Sequence, residues 1–237
     1  MKKQLSAQPL HIGDLFRFGW QLYNEHFSAI LQVILWVYLP LNLLVAFLPV
    51  DWQLPGEGAQ GGQLPLNLAL LLEIFWGILA TIAITIMVEG AIEGERMAPS
   101  TALRAALAKW PAALGTELLG ALIILGLTFL LIIPGIIWAF YYAFSIYAVA
   151  LRNVSGRSAL AYSKALVQGQ WWRICGILLV TSLVGQLVLL VITALLTLIA
   201  DNPVAEFIIN STADVVAGFF LVVTVLFFLN TDYVKRA

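Results

Sequence analysis

Charged side chains are scarce in this chain. Only 11% of its 237 residues are Asp, Glu, Lys or Arg, whereas 62% are hydrophobic, and the mean hydropathy is +0.96. Soluble domains carry about a quarter charged and about half apolar residues, so this shortage of charge excludes an ordinary soluble fold. The net charge of -1 also lacks the basic surplus typical of nucleic-acid binding. The long apolar runs predict an α-helical protein that crosses a membrane several times.

Cysteine, histidine and catalytic motifs are equally sparse. Cys175 is the only cysteine, which excludes an internal disulfide and a cluster of thiolate ligands. His11 and His26 both precede the first apolar run and form no triad or metal-ligand spacing. The sequence contains no zinc-protease motif, phosphate-binding loop or nucleophile elbow. We therefore predict no catalytic residue, no cofactor and no metal site, and a protein that is not an enzyme.

Six apolar runs approach or exceed the length needed to cross a bilayer core of about 30 Å. They cover residues 27–48, 64–88, 112–133, 136–151, 174–200 and 204–229, behind an N-terminal interfacial segment at 1–26. Tight turns at Pro134-Gly135 and at Asp201-Asn202-Pro203 predict neighbouring antiparallel helices. The predicted fold is all-α: a polytopic membrane protein with six transmembrane helices in three hairpins, forming one membrane domain over residues 1–237.

The basic residues predict the orientation. All twelve Lys and Arg residues flank the apolar runs on one side, at both termini and in the loops after the second and fourth runs. The intervening loops carry only acids, at Asp51, Glu57 and Asp201. Because basic flanks stay on the cytoplasmic side of a membrane, both termini are predicted to be cytoplasmic.

A cytoplasmic interfacial amphipathic helix is predicted before each of the three hairpins. In each segment a capping residue precedes apolar residues at helical spacing, with basic side chains and an aromatic residue close to the membrane. Two interpretations remain open: these helices only orient the hairpins, or they also bind lipid or a partner. The candidate lipid or partner contacts are Arg104, Lys109, Trp110, Arg157, Lys164, Trp171, Trp172 and Arg173.

Two acids fall inside apolar runs, where a charge costs at least about 2.5 to 3.5 kcal/mol. Glu73 and Asp214 both lie roughly 14 Å from the outer ends of their spans, at 1.5 Å per residue. Each belongs to a stripe of small and polar residues at four-residue spacing, which predicts a face directed at other helices. The candidate intramembrane polar site consists of Glu73, Asp214, Asn210, Gln186 and Thr81. Three interpretations of this site remain open. The acids could be protonated and join the helices through hydrogen bonds, they could form a proton or cation pathway, or they could line a pocket for a ligand.

Acids also cluster directly after the second apolar run, at Glu89, Glu93 and Glu95. Acids alone in a cytoplasmic loop are interpreted here as solvated surface rather than as a metal site.

Two further stretches carry a family resemblance. The run IIPGIIWAFYYAFSIYAVALRN followed by SALAYSKALVQGQWWRICGILL resembles a superfamily of bacterial membrane proteins, which includes the YciC-like inner-membrane proteins and the membrane domain of some glycerophosphodiester phosphodiesterases. The matching positions are Pro134, Gly135, Ala159, Leu160, Ser163, Leu166, Gly169 and Trp172, and the opening IGDLFRFGWQLYNEHF is similar too. The resemblance implies six helices in the bacterial cytoplasmic membrane. The phosphodiesterase domain that carries catalysis in such enzymes is absent from these residues, so no catalytic residue is carried over.

These observations predict a non-enzymatic integral membrane protein of the bacterial cytoplasmic (inner) membrane, acting as an accessory, assembly or lipid-interacting subunit. The expected partners are membrane lipids and either another membrane protein or further copies of the chain, with no nucleic acid. The alternative is a transporter or channel that uses the midplane carboxylates as a proton or cation relay.

Overall fold

A computed structural model describes residues 2–47, 68–198 and 202–236, and within these ranges the chain forms ten helices and no strand. The helices are α1 (Lys2–Ala7), α2 (Ile12–Glu25), α3 (Phe27–Phe47), α4 (Leu68–Glu93), α5 (Pro99–Leu130), α6 (Ile132–Tyr142), α7 (Ser145–Arg152), α8 (Arg157–Val167), α9 (Trp171–Thr197) and α10 (Pro203–Arg236). Counting α6 and α7 together, six helical segments are long and apolar enough to cross a membrane. The predicted all-helical class and the six apolar spans are confirmed.

The buried core surrounds the C-terminal halves of α10 and α4. α10 packs against α2, α3, α4 and α9 and also touches α1 and α8, while α4 packs against α3, α5 and α7. Nearly every residue of α10 from Val222 to Asp232 is buried. α2 approaches α10 closely because Gly19 has no side chain where it faces Val223. α10 is therefore the central helix of this end of the bundle.

The opposite end of the bundle exposes apolar side chains. Phe129, at the end of α5, is 93% exposed, and Leu198, just after α9, is 83% exposed. The residues from Leu130 to Ile133, which join α5 to α6, are also apolar and exposed. Exposed apolar side chains in this number are stable against hydrocarbon rather than water.

The third span differs from its prediction. The sequence predicted an interfacial helix followed by a separate span at 112–133, but α5 is one helix from Pro99 to Leu130 that passes through Pro111. The two residues directly before the proline contact neighbouring helices. Trp110 Nε1 donates a hydrogen bond to the carbonyl of Phe75 at 3.1 Å, and the Lys109 ammonium donates to the carbonyl of Ala150. These contacts with α4 and α7 keep the segment helical across a residue that removes one backbone donor.

The fourth span is broken, where one helix over 136–151 was predicted. α6 ends at Tyr142 and α7 begins at Ser145. The Ser163 hydroxyl of α8 accepts a hydrogen bond from the Phe144 N–H at 3.0 Å and donates one to the Tyr141 carbonyl at 2.7 Å. Glu117 of α5 accepts a hydrogen bond from the Ser145 hydroxyl at 2.6 Å. The break is stable because side chains from other helices satisfy the polar groups that it frees.

The turn between α5 and α6 lies earlier than predicted. The non-helical residue is Leu131, and Pro134 and Gly135 belong to the first turn of α6. Proline is tolerated there because the first turn of a helix makes no use of that N–H. Gly135 packs directly on Thr128, where a Cβ would lie 2.9 Å from the Thr128 Cα. Pro134 thus fits the first turn of α6, and Gly135 lets that turn approach α5.

Other span ends lie up to seven residues from the predicted ones. The second span extends to Glu93, the fifth runs from Trp171 to Thr197, and the sixth runs from Pro203 to Arg236. The predicted residues 48, 64–67 and 199–200, and the acids Asp51, Glu57 and Asp201, lie outside the described residues.

Candidate functional site

The predicted intramembrane acids lie beside a small cavity between α3, α4 and α10. Asp214 accepts a hydrogen bond from the side-chain amide of Asn42 at 2.7 Å, and the same amide lies 3.4 Å from the Ser211 hydroxyl. Glu73, Asn210 and Asp214 line this cavity, which has a volume of about 120 Å³. Three residues predicted from sequence stripes therefore meet at one place.

A second cavity, of about 210 Å³, is lined by the same two carboxylates. Thr81 of α4 and Tyr38 of α3 line it as well. Together the two cavities bring Glu73, Asp214, Asn210 and Thr81 into one polar region. The sequence interpretation did not include Asn42 and Tyr38 in this site. For Asn42 the available signal was its amide inside an otherwise apolar run, since a buried amide requires hydrogen-bond partners.

Gln186 does not join this region. It lies on an exposed part of α9 and lines a different cavity of about 220 Å³ beside Ser182 and Thr224. It was placed with the acids because it has a similar depth along its own helix. Depth does not specify which neighbour a helix face meets, and this part of α9 faces α10 away from the carboxylates.

A network of ion pairs near the C-terminus of α10 was missed by the sequence interpretation. Arg152 donates to Asp232 Oδ2 from Nε at 2.9 Å and from Nη2 at 2.7 Å, and its Nη1 donates to Glu89 at 2.6 Å. Asp232 also accepts hydrogen bonds from Arg236 Nε at 2.9 Å and from the Tyr162 hydroxyl. Asp232 is completely buried. Two cations and two carboxylates balance one another, which is how proteins tolerate a buried charge.

This network corrects the interpretation of Glu89 as a solvated surface residue. Its side chain is only 19% exposed, because α4 continues past the predicted span end and carries Glu89 to Arg152 of α7. The network also acts on Tyr162 of α8: burial, with a hydrogen bond to Asp232, raises the pKa of this phenol. A signal for the network was available in the sequence: Glu89, Arg152 and Asp232 are charged residues at the cytoplasmic ends predicted for three different spans.

The eight predicted lipid or partner contacts divide into exposed and internally bonded residues. Arg104, Arg157 and Trp172 are exposed, and Trp172 is 82% exposed. Lys109, Trp110, Lys164, Trp171 and Arg173 are half-buried. Lys109 and Trp110 make the contacts to α7 and α4 described above, so their polar atoms serve the packing of α5.

The other half-buried members also contact their own chain. The Lys164 ammonium lies 4.3 Å from the centroid of the Trp138 ring, a cation–π contact between α8 and α6. The Trp171 Nε1 donates to the Ile137 carbonyl at 3.4 Å. Of the eight candidates, Arg104, Arg157 and Trp172 are therefore the ones most open to contact with lipid or a partner.

Arg173 and Asn230 connect the N-terminal segment to α9 and α10. Arg173 Nη2 donates to the Leu10 carbonyl at 2.9 Å and to Asn230 Oδ1 at 3.3 Å. Asn230 is fully buried; its amide donates to the carbonyls of Leu5 and Gln8 at 2.8 and 2.9 Å, and its oxygen accepts from the Leu10 N–H at 3.0 Å. The arrangement fixes the start of the chain against the end of α10.

Comparison of the chain with family models, with curated proteins and with solved structures found no match. Within the described ranges, no group of three or more His, Cys, Asp or Glu side chains is placed to hold a metal ion.

Proposed function

We propose that this chain is a non-enzymatic integral membrane protein of the bacterial cytoplasmic membrane that acts as an accessory, assembly or lipid-interacting subunit. The observation that carries the proposal is the separation of charge along the bundle. The paired ions at Arg152 and Asp232 lie at one end, and the exposed apolar surface around Phe129 lies at the other. The sequence resemblance to bacterial inner-membrane proteins supports the location.

The proposed topology has three hairpins with both termini in the cytoplasm. In its favour, α3 packs on α4, α5 on α6, and α9 on α10. α2, the start of α5 and α8 serve as the interfacial elements at the basic end. A fluorescent protein fused after Ala237 folds only in the cytoplasm, so we expect it to fluoresce, whereas alkaline phosphatase at the same place should stay inactive. The opposite pattern would refute this orientation.

The ion pairs favour a structural rather than a catalytic role for the charged end. The charged groups here form ion pairs with one another, and these pairs hold α4, α7 and α10 together. They are Glu89, Arg152, Asp232 and Arg236. A catalytic acid or base needs access to a substrate proton, whereas Asp232 is completely buried.

Native mass spectrometry of the protein, extracted gently from its own membrane, tests the proposal. We expect a stoichiometric protein partner or a retained class of lipid. Turnover of a phospholipid or a glycerophosphodiester by the purified protein, abolished by a single substitution, would contradict it.

A second candidate function, a proton or cation relay, is favoured by one specific observation: Glu73 and Asp214 line the same two cavities. In proteoliposomes the pair Glu73→Gln and Asp214→Asn should then abolish ion-dependent flux. Glu206→Gln is the matched control, because Glu206 lies on the same helix as Asp214 but has an exposed side chain. Flux that survives in the double variant would remove the relay.

A further inference from the structure

A polar cavity of about 370 Å³ lies where α8 passes into α9, beside the C-terminal end of α10. Gly169 and Gln170 line it from the α8–α9 junction, Arg173 lines it from α9, and Thr231 and Lys235 line it from α10. Its lining contains two basic residues and no Asp or Glu. None of the four paired ions around Asp232 lines this cavity.

The two cations in this cavity have only neutral acceptors in the described parts of the chain. Arg173 donates to the Leu10 carbonyl and to the side-chain oxygens of Gln170 and Asn230. Lys235 donates to carbonyls at the end of α8, including that of Gln168 at 2.9 Å. No described carboxylate lies within 4 Å of either cation, whereas Arg152 at the same end has two.

The cavity wall includes Thr231, whose hydroxyl lies beneath the surface of the wall. Thr231 is 2% exposed, and its hydroxyl is buried without a hydrogen-bond partner within the described ranges. Buried hydroxyls normally have a partner. Two cations that lack a carboxylate partner among the described residues, at one cavity without acids in its lining, are complementary to an oxyanion.

An apolar groove continues from Arg173 along α9. This groove has a volume of about 490 Å³ and is lined by Trp172, Arg173, Gly176 and Val180, with the segment from Pro9 to Ile12 on its other side. A side chain added at Gly176 would meet no atom within 4 Å, so the missing side chain leaves the groove open. Val180 lies about 10 Å along the helix axis from Arg173, at 1.5 Å per residue.

We propose that the cavity and the groove together bind one anionic phospholipid. Its phosphate lies against Arg173 and Lys235, and an acyl chain lies along Gly176 and Val180. Trp172 is then at the level of the headgroups, where tryptophan is favoured. The charge of the site and its change from cationic to apolar within about 10 Å match a phospholipid at a membrane boundary. The inference rests on the proposed membrane orientation, which places this end of α9 at the cytoplasmic leaflet.

Titration of the detergent-purified full chain with phosphatidylglycerol, read by native mass spectrometry, tests the site. Arg173→Gln removes the central cation, and we expect roughly ten-fold weaker binding, the size of one charge-assisted hydrogen bond. Gly176→Leu places a side chain in the groove at a position where the added Cβ meets no atom within 4 Å, and it should weaken binding to a similar degree. The matched controls are Arg96→Gln, at an exposed basic residue, and Gly126→Leu, at an exposed glycine of α5 with open space around it. Both controls should bind like the wild type.

Three outcomes would overturn the inference. Wild-type affinity in both Arg173→Gln and Gly176→Leu would show that the lipid binds elsewhere. An equal loss in Arg96→Gln would show general attraction to basic surface. Displacement of the lipid by inorganic phosphate at matched concentration would identify a site for the free anion. Because Arg173 also holds the N-terminal segment, helical content and melting temperature are measured for each variant, and Gly176→Leu decides the matter if Arg173→Gln is unfolded. A protein partner or enzymatic turnover would bear on the proposed function and leave this titration unchanged.

Discussion

Replacing Arg152 by methionine is the sharpest test of how the charged end of the bundle is held together. Methionine keeps most of the length of the side chain and removes its charge and donors. Asp232, which is completely buried, would lose hydrogen bonds of 2.9 and 2.7 Å, and Glu89 would lose one of 2.6 Å. Removing one partner of a buried ion pair typically costs about 3–5 kcal/mol. We expect about 3 kcal/mol, the lower end of that range, because Arg236 still reaches Asp232.

Unfolding by titration with sodium dodecyl sulfate, followed by circular dichroism in mild detergent, measures this loss. The matched control is Arg96→Met, since Arg96 is exposed and its replacement should change stability by less than about 0.5 kcal/mol. A double-mutant cycle with Asp232→Asn isolates the pair: the double variant should be less destabilised than the sum of the two single variants. A cost below about 1 kcal/mol for Arg152→Met, typical of an exposed pair, would refute the claim that this network stabilises the bundle.

Two other contacts give predictions of their own. Gly135→Val should lower the melting temperature in detergent by several degrees, because its Cβ would lie 2.9 Å from the Thr128 Cα; Gly126→Val, with open space around it, should not. Asn230→Leu should destabilise the protein by at least about 2 kcal/mol and speed amide exchange in residues 2–10, because it leaves buried backbone groups of Leu5 and Leu10 without partners. Unchanged exchange in that segment would show that Asn230 does not hold it.

The spans were predictable from sequence because a bilayer demands long apolar runs, and each run became a helix or a pair of helices. The break in the fourth span was not predictable. Tyr141 and Phe144 lose helical hydrogen bonds there, and their replacement comes from Ser163, about twenty residues away in the chain. The continuity of α5 was not predictable either. Pro111 predicts the end of a helix, whereas the contact of Trp110 with Phe75 of another helix stabilises α5 across the proline.

For the polar sites, the residue spacing predicted which side chains share one face of a helix, but not which helix that face contacts. Spacing of four residues placed Asn210 and Asp214 on one face of α10, and the structure brings that face to Glu73. Spacing within one helix cannot identify the partner helix, so Asn42 was overlooked and Gln186 was misplaced. The ion pair of Arg152 and Asp232 joins residues 80 positions apart in the sequence, beyond the reach of any local pattern.

Three consecutive residues of α10 explain why the charged end can combine a rigid core with an open cavity. Successive positions of an α-helix differ in direction by about 100°, so Asn230, Thr231 and Asp232 face three different neighbours. Asn230 fixes the N-terminal segment, Asp232 fixes Arg152, and both are fully buried. Thr231 stands between them on the wall of the cavity that contains Arg173. Because its two neighbours are anchored, Thr231 and the cavity wall are held in place before any lipid binds, and a preformed site of this kind loses little conformational entropy on binding.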